Sequence, residues 1–460
     1  MIPFLDRIEE KKRINRLLDG EDGAFCCLYG RRRCGKTRLL CECVRGRQNV
    51  FYYVADKSVR AAQLARFIDE AAKINPAFGS AVGRDWGSVM DLWMALSPRG
   101  SILVFDEFPY LVEQDEALPS ILQRIVDKLR DTGKKIVICG SSQRMMQGFV
   151  LKASEPLYGR AREILPIVPL RFGWMKEAFP ELSPWERLKS YGVWGGVPRY
   201  WEIQAEEPDL WSAVRRNVCS PLGVLRNEPQ FLLLDDVGDV AQASAVLSFI
   251  GAGAHRASEI AGRMGRPLTD LSRPFQRLTE LGIVAKDVPF DAEANNKKSY
   301  YRVSDPFLDF WYTFVQPNWS RSDFLESKED VASFARKYMP YLGCVWERLV
   351  REEVQRKPLP ECEEMFQNAA RWWGAGLDRR PMELDIVAES LDSKTLLVGE
   401  AKLSISEAEA RRVIEELADK AKQLPFANRY EKVVTKLFVA QDPPLGAVSL
   451  DWCEELVVSC

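Results

Sequence analysis

The sequence predicts a multidomain protein of the α/β class that opens with a doubly wound parallel sheet. Apolar runs bounded by helical stretches recur at Ala24–Tyr29, Val50–Ala55, Ser101–Asp106, Lys135–Gly140 and Glu163–Val168, as expected for strands covered on both faces. The first run leads directly into a glycine-bearing turn and then a helical pattern, the βα unit from which such sheets are built. The chain's 460 residues exceed what a single core supports, so about three domains are expected.

That turn is Gly30-Arg-Arg-Arg-Cys-Gly35-Lys36-Thr37, the G-x-x-x-x-G-K-[ST] phosphate loop between a strand and a helix. Gly30 and Gly35 let the backbone curl so that its N–H groups face phosphate oxygens, and the helix N-terminus adds its positive end. Lys36 is placed to reach the β and γ phosphates and Thr37 to ligate Mg²⁺. A nucleoside triphosphate is the ligand implied.

Composition narrows the alternatives. Net charge is −2, with 46% apolar and 28% charged residues, which excludes a globally basic nucleic-acid binder but leaves room for a local patch. With no run of about 18 apolar residues and no basic-then-apolar start, neither a membrane span nor a signal peptide is expected. Eleven scattered cysteines, several in apolar strands, fit reduced thiols in a cytoplasmic protein. Cys41 and Cys43 lack a second pair to complete a metal site. His255 is the only histidine, so histidine base chemistry is nearly ruled out.

Asp106 and Glu107 end the apolar run beginning at Ile102. A buried strand has no structural need for two acids at its carboxyl end, whereas a nucleotide site does. Asp106 would hold the Mg²⁺ shell and Glu107 would polarise the attacking water; an acidic turn is the plain alternative. At the next strand end, Gly140-Ser141-Ser142-Gln143 offers polar groups for the γ-phosphate or the water, although Gly-Ser-Ser is also a common loop. Arg160 and Arg162, after Pro156-Leu-Tyr-Gly159, could neutralise transition-state charge as a finger.

With these residues in place the chain resembles archaeal and bacterial P-loop ATPases related to the AAA+ and STAND classes. The resemblance rests on Phe4-Leu-Asp-Arg7-Ile-Glu-Glu10, Tyr29–Arg33, Asp106-Glu107, Gly140–Ser142, Leu157–Arg160 and Gly195-Gly-Val-Pro198. It implies ATP as the nucleotide, Arg7 and Pro198 near the adenine, and a helical lid after about residue 176.

Downstream, helical patterns at Ala243–Gly253, Ala257–Met264 and Thr269–Leu281 precede two strand patterns, Ile283–Phe290 and Ser299–Val303, around a polar tip. This is the order of a winged helix. Arg273 and Arg277 would face a DNA major groove, and Lys297 and Lys298 the backbone. Asp270 and Glu280 on the same helix keep it from being strongly basic, and a protein-contact module is the alternative. The Ser304–Tyr312 stretch also matches the family and, with its crowded aromatics, reads as core.

In the last segment Asp385 lies in one strand pattern, and Glu400 and Lys402 in the next. Positions i and i+2 of a strand share a face. Glu400 and Lys402 therefore point together, and strand pairing would bring Asp385 to them. Two carboxylates suit Mg²⁺ or Mn²⁺, and the lysine can orient water against a phosphodiester. Glu347, on an amphipathic helix, could add a third carboxylate. The order Glu347, Asp385, Glu400-x-Lys402 is similar to the PD-(D/E)XK pattern of restriction-endonuclease-like folds. A catalytically silent nuclease fold kept for binding is the competing reading.

The expected organisation is a P-loop NTPase parallel sheet (1–175) with a helical lid (176–236), a winged-helix domain (237–316), a linker (317–340) and a restriction-endonuclease-like α/β domain (341–460). Expected partners are ATP, double-stranded DNA and a second copy of the chain, without a membrane. The function expected is an Mg²⁺-dependent ATPase switch controlling a DNA-directed C-terminal domain; the alternative is an ATP-dependent scaffold or DNA-binding regulator.

Overall fold

The computed structural model describes all residues except 1, 81–84, 235, 293–298, 322–323, 363 and 457–460. Lys297 and Lys298 of the expected wing tip lie outside the described residues. The chain divides into two compact units, Asp6–Pro169 with Leu234–Gly238, and Met1–Leu5 with Leu170–Leu233 and Asp239–Cys460.

The first unit is built on five strands: β1 (Ala24–Tyr29), β2 (Val50–Val54), β3 (Ile102–Asp106), β4 (Lys135–Gly140) and β5 (Glu163–Pro166). They lie in the order β2-β3-β4-β1-β5, and all four pairings are parallel. β1, β3 and β4 are buried almost throughout, which is why they read as continuous apolar runs rather than alternating ones. On one face Phe51, Tyr53, Phe67, Trp86 and Phe105 meet largely edge to face, with centroids 4.7 to 6.4 Å apart, the arrangement favoured by aromatic quadrupoles. β5 stops at Pro166, two residues short of the apolar pattern.

In the second unit, helices Met175–Ala178, Pro184–Trp194, Pro198–Ala205, Leu210–Val214 and Glu228–Leu234 follow one another. Ser183 and Glu186 form a reciprocal capping box on the second of these, satisfying two otherwise orphaned N–H groups. From the same helix Arg187 donates to both oxygens of Glu454 at 2.5 and 2.7 Å, with both side chains buried. This bidentate pair ties the helical segment to the chain's C-terminal helix.

Helices Val240–Gly251, Ala257–Met264 and Leu268–Glu280 come next, then an antiparallel hairpin of β6 (Val284–Asp287) and β7 (Tyr300–Val303). The hairpin strands are shorter than their apolar patterns. Phe290, beyond β6, is drawn into the core of the next sheet. The expected linker 317–340 is helical from Lys328, where Ser327 caps a 27-residue helix running to Val354 through Pro340.

The last sheet has strands β8 (Phe366–Ala375), β9 (Pro381–Ser390), β10 (Thr395–Lys402), β11 (Lys432–Val439) and β12 (Val448–Ser449) in the order β12-β11-β10-β9-β8. β8, β9 and β10 are antiparallel neighbours, whereas β10, β11 and β12 run parallel. The first parallel step requires a crossover, and the capped helix Glu407–Lys422 supplies it. Among the described residues no helix is long and apolar enough to cross a membrane.

Candidate functional site

The phosphate loop joins β1 to helix Lys36–Val44. Gly30 has φ +153°, and a Cβ there would stand 2.1 Å from Ile167 O, so only glycine fits. Gly35, at φ +89°, caps the helix. Lys36 is buried, its ammonium donating to Gly30 O (2.7 Å) and Arg31 O (3.0 Å). The lysine that phosphates would engage is thus held on its own loop.

Thr37 Oγ1 donates to Asp106 Oδ2 at 2.7 Å, joining the loop to the end of β3. Tyr52, from the neighbouring strand β2, donates to the same oxygen at 2.8 Å. Burial, and then the Asp106 charge, push the Tyr52 phenol well above its usual pKa, so it stays a donor. Glu107 takes φ +53°, a left-handed conformation that costs a non-glycine residue about 1 kcal/mol or more. Its carboxylate accepts from Ser141 Oγ (2.7 Å) and Ser141 N (3.2 Å). Lys36, Thr37, Asp106, Glu107 and Ser141 are therefore linked or adjacent around one end of the parallel sheet.

Arg7 is buried and spans Glu10, Cys34 O and Val168 O, bracing the loop against the chain beyond β5. Arg160 pairs with Asp127 at 2.8 Å and with Pro156 O at 2.9 Å. Pro198 opens helix Pro198–Ala205 in the other unit. Tyr52 escaped the sequence reading because its strand pattern is apolar and its partner lies 54 residues away.

In the C-terminal sheet β9 and β10 pair with Gly399 opposite Ile386, which brings Asp385 to the Glu400 end of β10. Asp385 Oδ2 accepts from Ala401 N at 3.0 Å, and Lys402 Nζ donates to Glu400 Oε1 at 2.8 Å. Burial first, then the charges of Glu347 and Glu400, raise Asp385 from 3.8 to about 6. Burial pulls the Lys402 ammonium down, but its bond to Glu400 and the nearby acids outweigh this and its pKa rises. Glu347 stands 3.6 Å from Arg351 and 3.8 Å from Arg371. Lys420 stands 3.6 Å from Glu400. Arg351, Arg371 and Lys420 carry no motif spacing, so only folding reveals them. Among the described residues no three His, Cys, Asp or Glu side chains are gathered tightly enough to hold a metal by themselves. Asp385, Glu400 and Glu347 are nonetheless hard oxygen donors of the kind Mg²⁺ takes, with their charge already offset by Arg351, Arg371, Lys402 and Lys420.

A parallel sheet with a phosphate loop and an Asp-Glu strand end defines the class as P-loop ATPase. Residues 4–202 match an ATPase domain found predominantly in Archaea, and residues 311–414 match a domain of unknown function from archaeal and bacterial proteins. An uncharacterized protein of Methanocaldococcus jannaschii is 31% identical over 433 residues, covering 93% of this chain and 94% of the relative. The chain belongs to the family of that relative, and in this chain the archaeal ATPase domain precedes the second domain. Among solved structures, the Aeropyrum pernix ORC2 protein in ADPNP–ADP complexes aligns with a TM-score of 0.48 at 15% identity, over 69% of this chain and 95% of that one. The Thermotoga maritima RuvB Holliday junction branch migration motor aligns with a TM-score of 0.33 at 18% identity, over 62% and 91%.

Proposed function

We propose that this ATP-binding ATPase is a nucleotide-controlled switch whose output is Mg²⁺-dependent cleavage of double-stranded DNA by the C-terminal domain. The observation that carries the reading is the approach of Asp385, Glu400 and Lys402 through the pairing of β9 with β10.

In the ATPase half, Lys36 leaves its loop carbonyls for the β and γ phosphates, while Thr37 and Asp106 hold the Mg²⁺ that offsets phosphate charge. Glu107 turns from Ser141 to the attacking water, and Ser141 is then free to contact the γ-phosphate. Arg7 and Pro198 border the adenine. Arg160 leaves Asp127 to act as a finger, reaching a neighbouring copy in an oligomer.

In the C-terminal half, Asp385 and Glu400, with Glu347 as a third carboxylate, would hold a divalent cation. When bound, that ion polarises a phosphodiester and lowers the pKa of water. Lys402 orients the water and balances charge on the phosphate. The three helices and hairpin form a winged helix that presents Arg273 and Arg277 to DNA. The boundaries 1–175, 176–236, 237–316, 317–340 and 341–460 belong to the same proposal, as does a cytoplasmic location.

Incubating the protein with ATP, plasmid and Mg²⁺ or Mn²⁺ tests the output. Cleavage lost in Asp385→Ala and Lys402→Ala supports it, whereas no cleavage by the wild type under any condition refutes it. The arginines and lysines already paired with Glu347 and Glu400 favour a second reading, an ATP-dependent scaffold or DNA-binding regulator with a silent nuclease fold. Calorimetry showing no Mn²⁺ uptake at Asp385 and Glu400 would select that reading.

A further inference from the structure

Two buried or half-buried arginines border the C-terminal carboxylates without a role in the reaction so far described. Arg351 lies one helical turn beyond Glu347. Its Nη1 donates to Asp385 O at 2.6 Å and stands 3.6 Å from Glu347 Oε2. Arg371, on β8, places Nε 3.8 Å from that same Glu347 oxygen, while its Nη2 pairs with Glu383. Arg371 Nε is buried and makes no hydrogen bond. Each guanidinium is anchored by one short bond, Arg351 to Asp385 O and Arg371 to Glu383. Both also face one Glu347 oxygen at longer range, 3.6 and 3.8 Å.

The backbone also singles out Arg371. The register of β8 on β9 slips between Ala370 and Trp372, where two β9 residues, Asp385 and Ile386, stand opposite Arg371 alone. Such bulges turn a side chain away from simple alternation and are common beside active sites. The Arg371 carbonyl accepts from Phe290 N at 2.8 Å, and the Trp373 ring lies 5.0 Å from Tyr300 of β7. The segment carrying Arg371 is thereby bonded to the hairpin that follows the three-helix group.

We infer that Arg351 and Arg371 form a phosphodiester-binding clamp, parked on Glu347 in the metal-free protein and transferred to a substrate phosphate when a divalent cation takes over the carboxylate charge. The inference rests on the nuclease reading of Asp385, Glu400 and Lys402. A guanidinium offers paired, planar donors that match two phosphate oxygens, and it remains protonated throughout the neutral range. While Glu347 is uncompensated it competes with the phosphate for both forks. A bound cation removes that competition, so metal and DNA should bind cooperatively.

The test uses the full chain and a fluorescent 30-base-pair duplex, titrated in EDTA and in Ca²⁺, with Mn²⁺ uptake followed by calorimetry. Wild type should bind the duplex more tightly in Ca²⁺ than in EDTA. Arg371→Gln and Arg351→Gln should each weaken binding in Ca²⁺ by roughly tenfold, the loss expected for a charged hydrogen-bonding pair. Mn²⁺ uptake should be retained, and Arg371→Lys should recover part of the affinity. Since Arg351 is the more buried, Arg371→Gln decides the matter if the other variant misfolds. Unchanged DNA affinity in Arg371→Gln, with Mn²⁺ uptake intact, overturns the clamp but leaves the nuclease reading standing. Wild-type protein that takes up no Mn²⁺ overturns both.

Discussion

Asp106 shows how a single carboxylate can be positioned by two strands. Oδ2 accepts from Thr37 and Tyr52, and Oδ1 from the Glu107 amide at 3.0 Å. Three donors hold the group in one orientation before any ligand arrives, and a hydrogen bond to a charged acceptor contributes about 1.5–3 kcal/mol. Tyr52→Phe keeps the ring and removes only one donor. The expected outcome is an ATPase that needs several-fold more Mg²⁺ for half-maximal turnover, with its melting temperature little changed. An Mg²⁺ titration of ATP hydrolysis measures this, and an unchanged requirement would remove Tyr52 from the site. Glu107 adds strain to the same end of the sheet, since its left-handed backbone is kept although nothing in glycine's place relieves it.

At the scale of elements, the hairpin and the last sheet share a core. Phe290 packs 5.4 Å from Phe426 and belongs to the cluster containing Trp372, Leu384 and Val398. Arg429 pairs with Asp291 at 2.7 Å beside it. Truncating a buried phenylalanine costs about 3–5 kcal/mol. Phe290→Ala should therefore lower the urea midpoint of the C-terminal transition while ATP binding persists. If the midpoint does not move, the hairpin and sheet do not share a core. This packing explains why the hairpin strands end early, because residues beyond Asp287 are recruited by another element rather than by a longer ladder. The same logic accounts for the linker that became helix. The polar stretch around Pro317–Ser327 predicts the linker, but Ser327, Glu329 and Asp330 start a helix whose buried face outweighs the hydrogen bond lost at Pro340.

The whole molecule carries an electrostatic cost at Asp385. Its folded pKa of about 6 lies above the unfolded value near 3.8. The folded state therefore binds the extra proton, so this stabilisation is complete below the unfolded value and disappears as pH rises through about 6. Chelated wild-type protein should lose stability relative to Asp385→Asn between about pH 4 and 7, by on the order of 3 kcal/mol. Denaturant midpoints for both proteins across that range measure the effect. Parallel curves for the two proteins would show that Asp385 is not buried among like charges.

Much of this was legible in the chain itself. The phosphate loop, the Asp106-Glu107 strand end, the parallel sheet and the shared face of Glu400 and Lys402 all follow from local spacing, because turns and strand alternation are properties of neighbouring residues. Asp385 required one further assumption, that two strands pair. Tyr52, Arg351, Arg371 and Lys420 could not be found in this way, since each reaches its partner through strand order, helix packing or a bulge that leaves no periodic trace. The sequence by itself determined the ATPase class and the phosphate-binding loop. Only the tertiary structure decided which cations surround the C-terminal carboxylates, because that depends on contacts between segments whose separation along the chain carries no information about their distance in space.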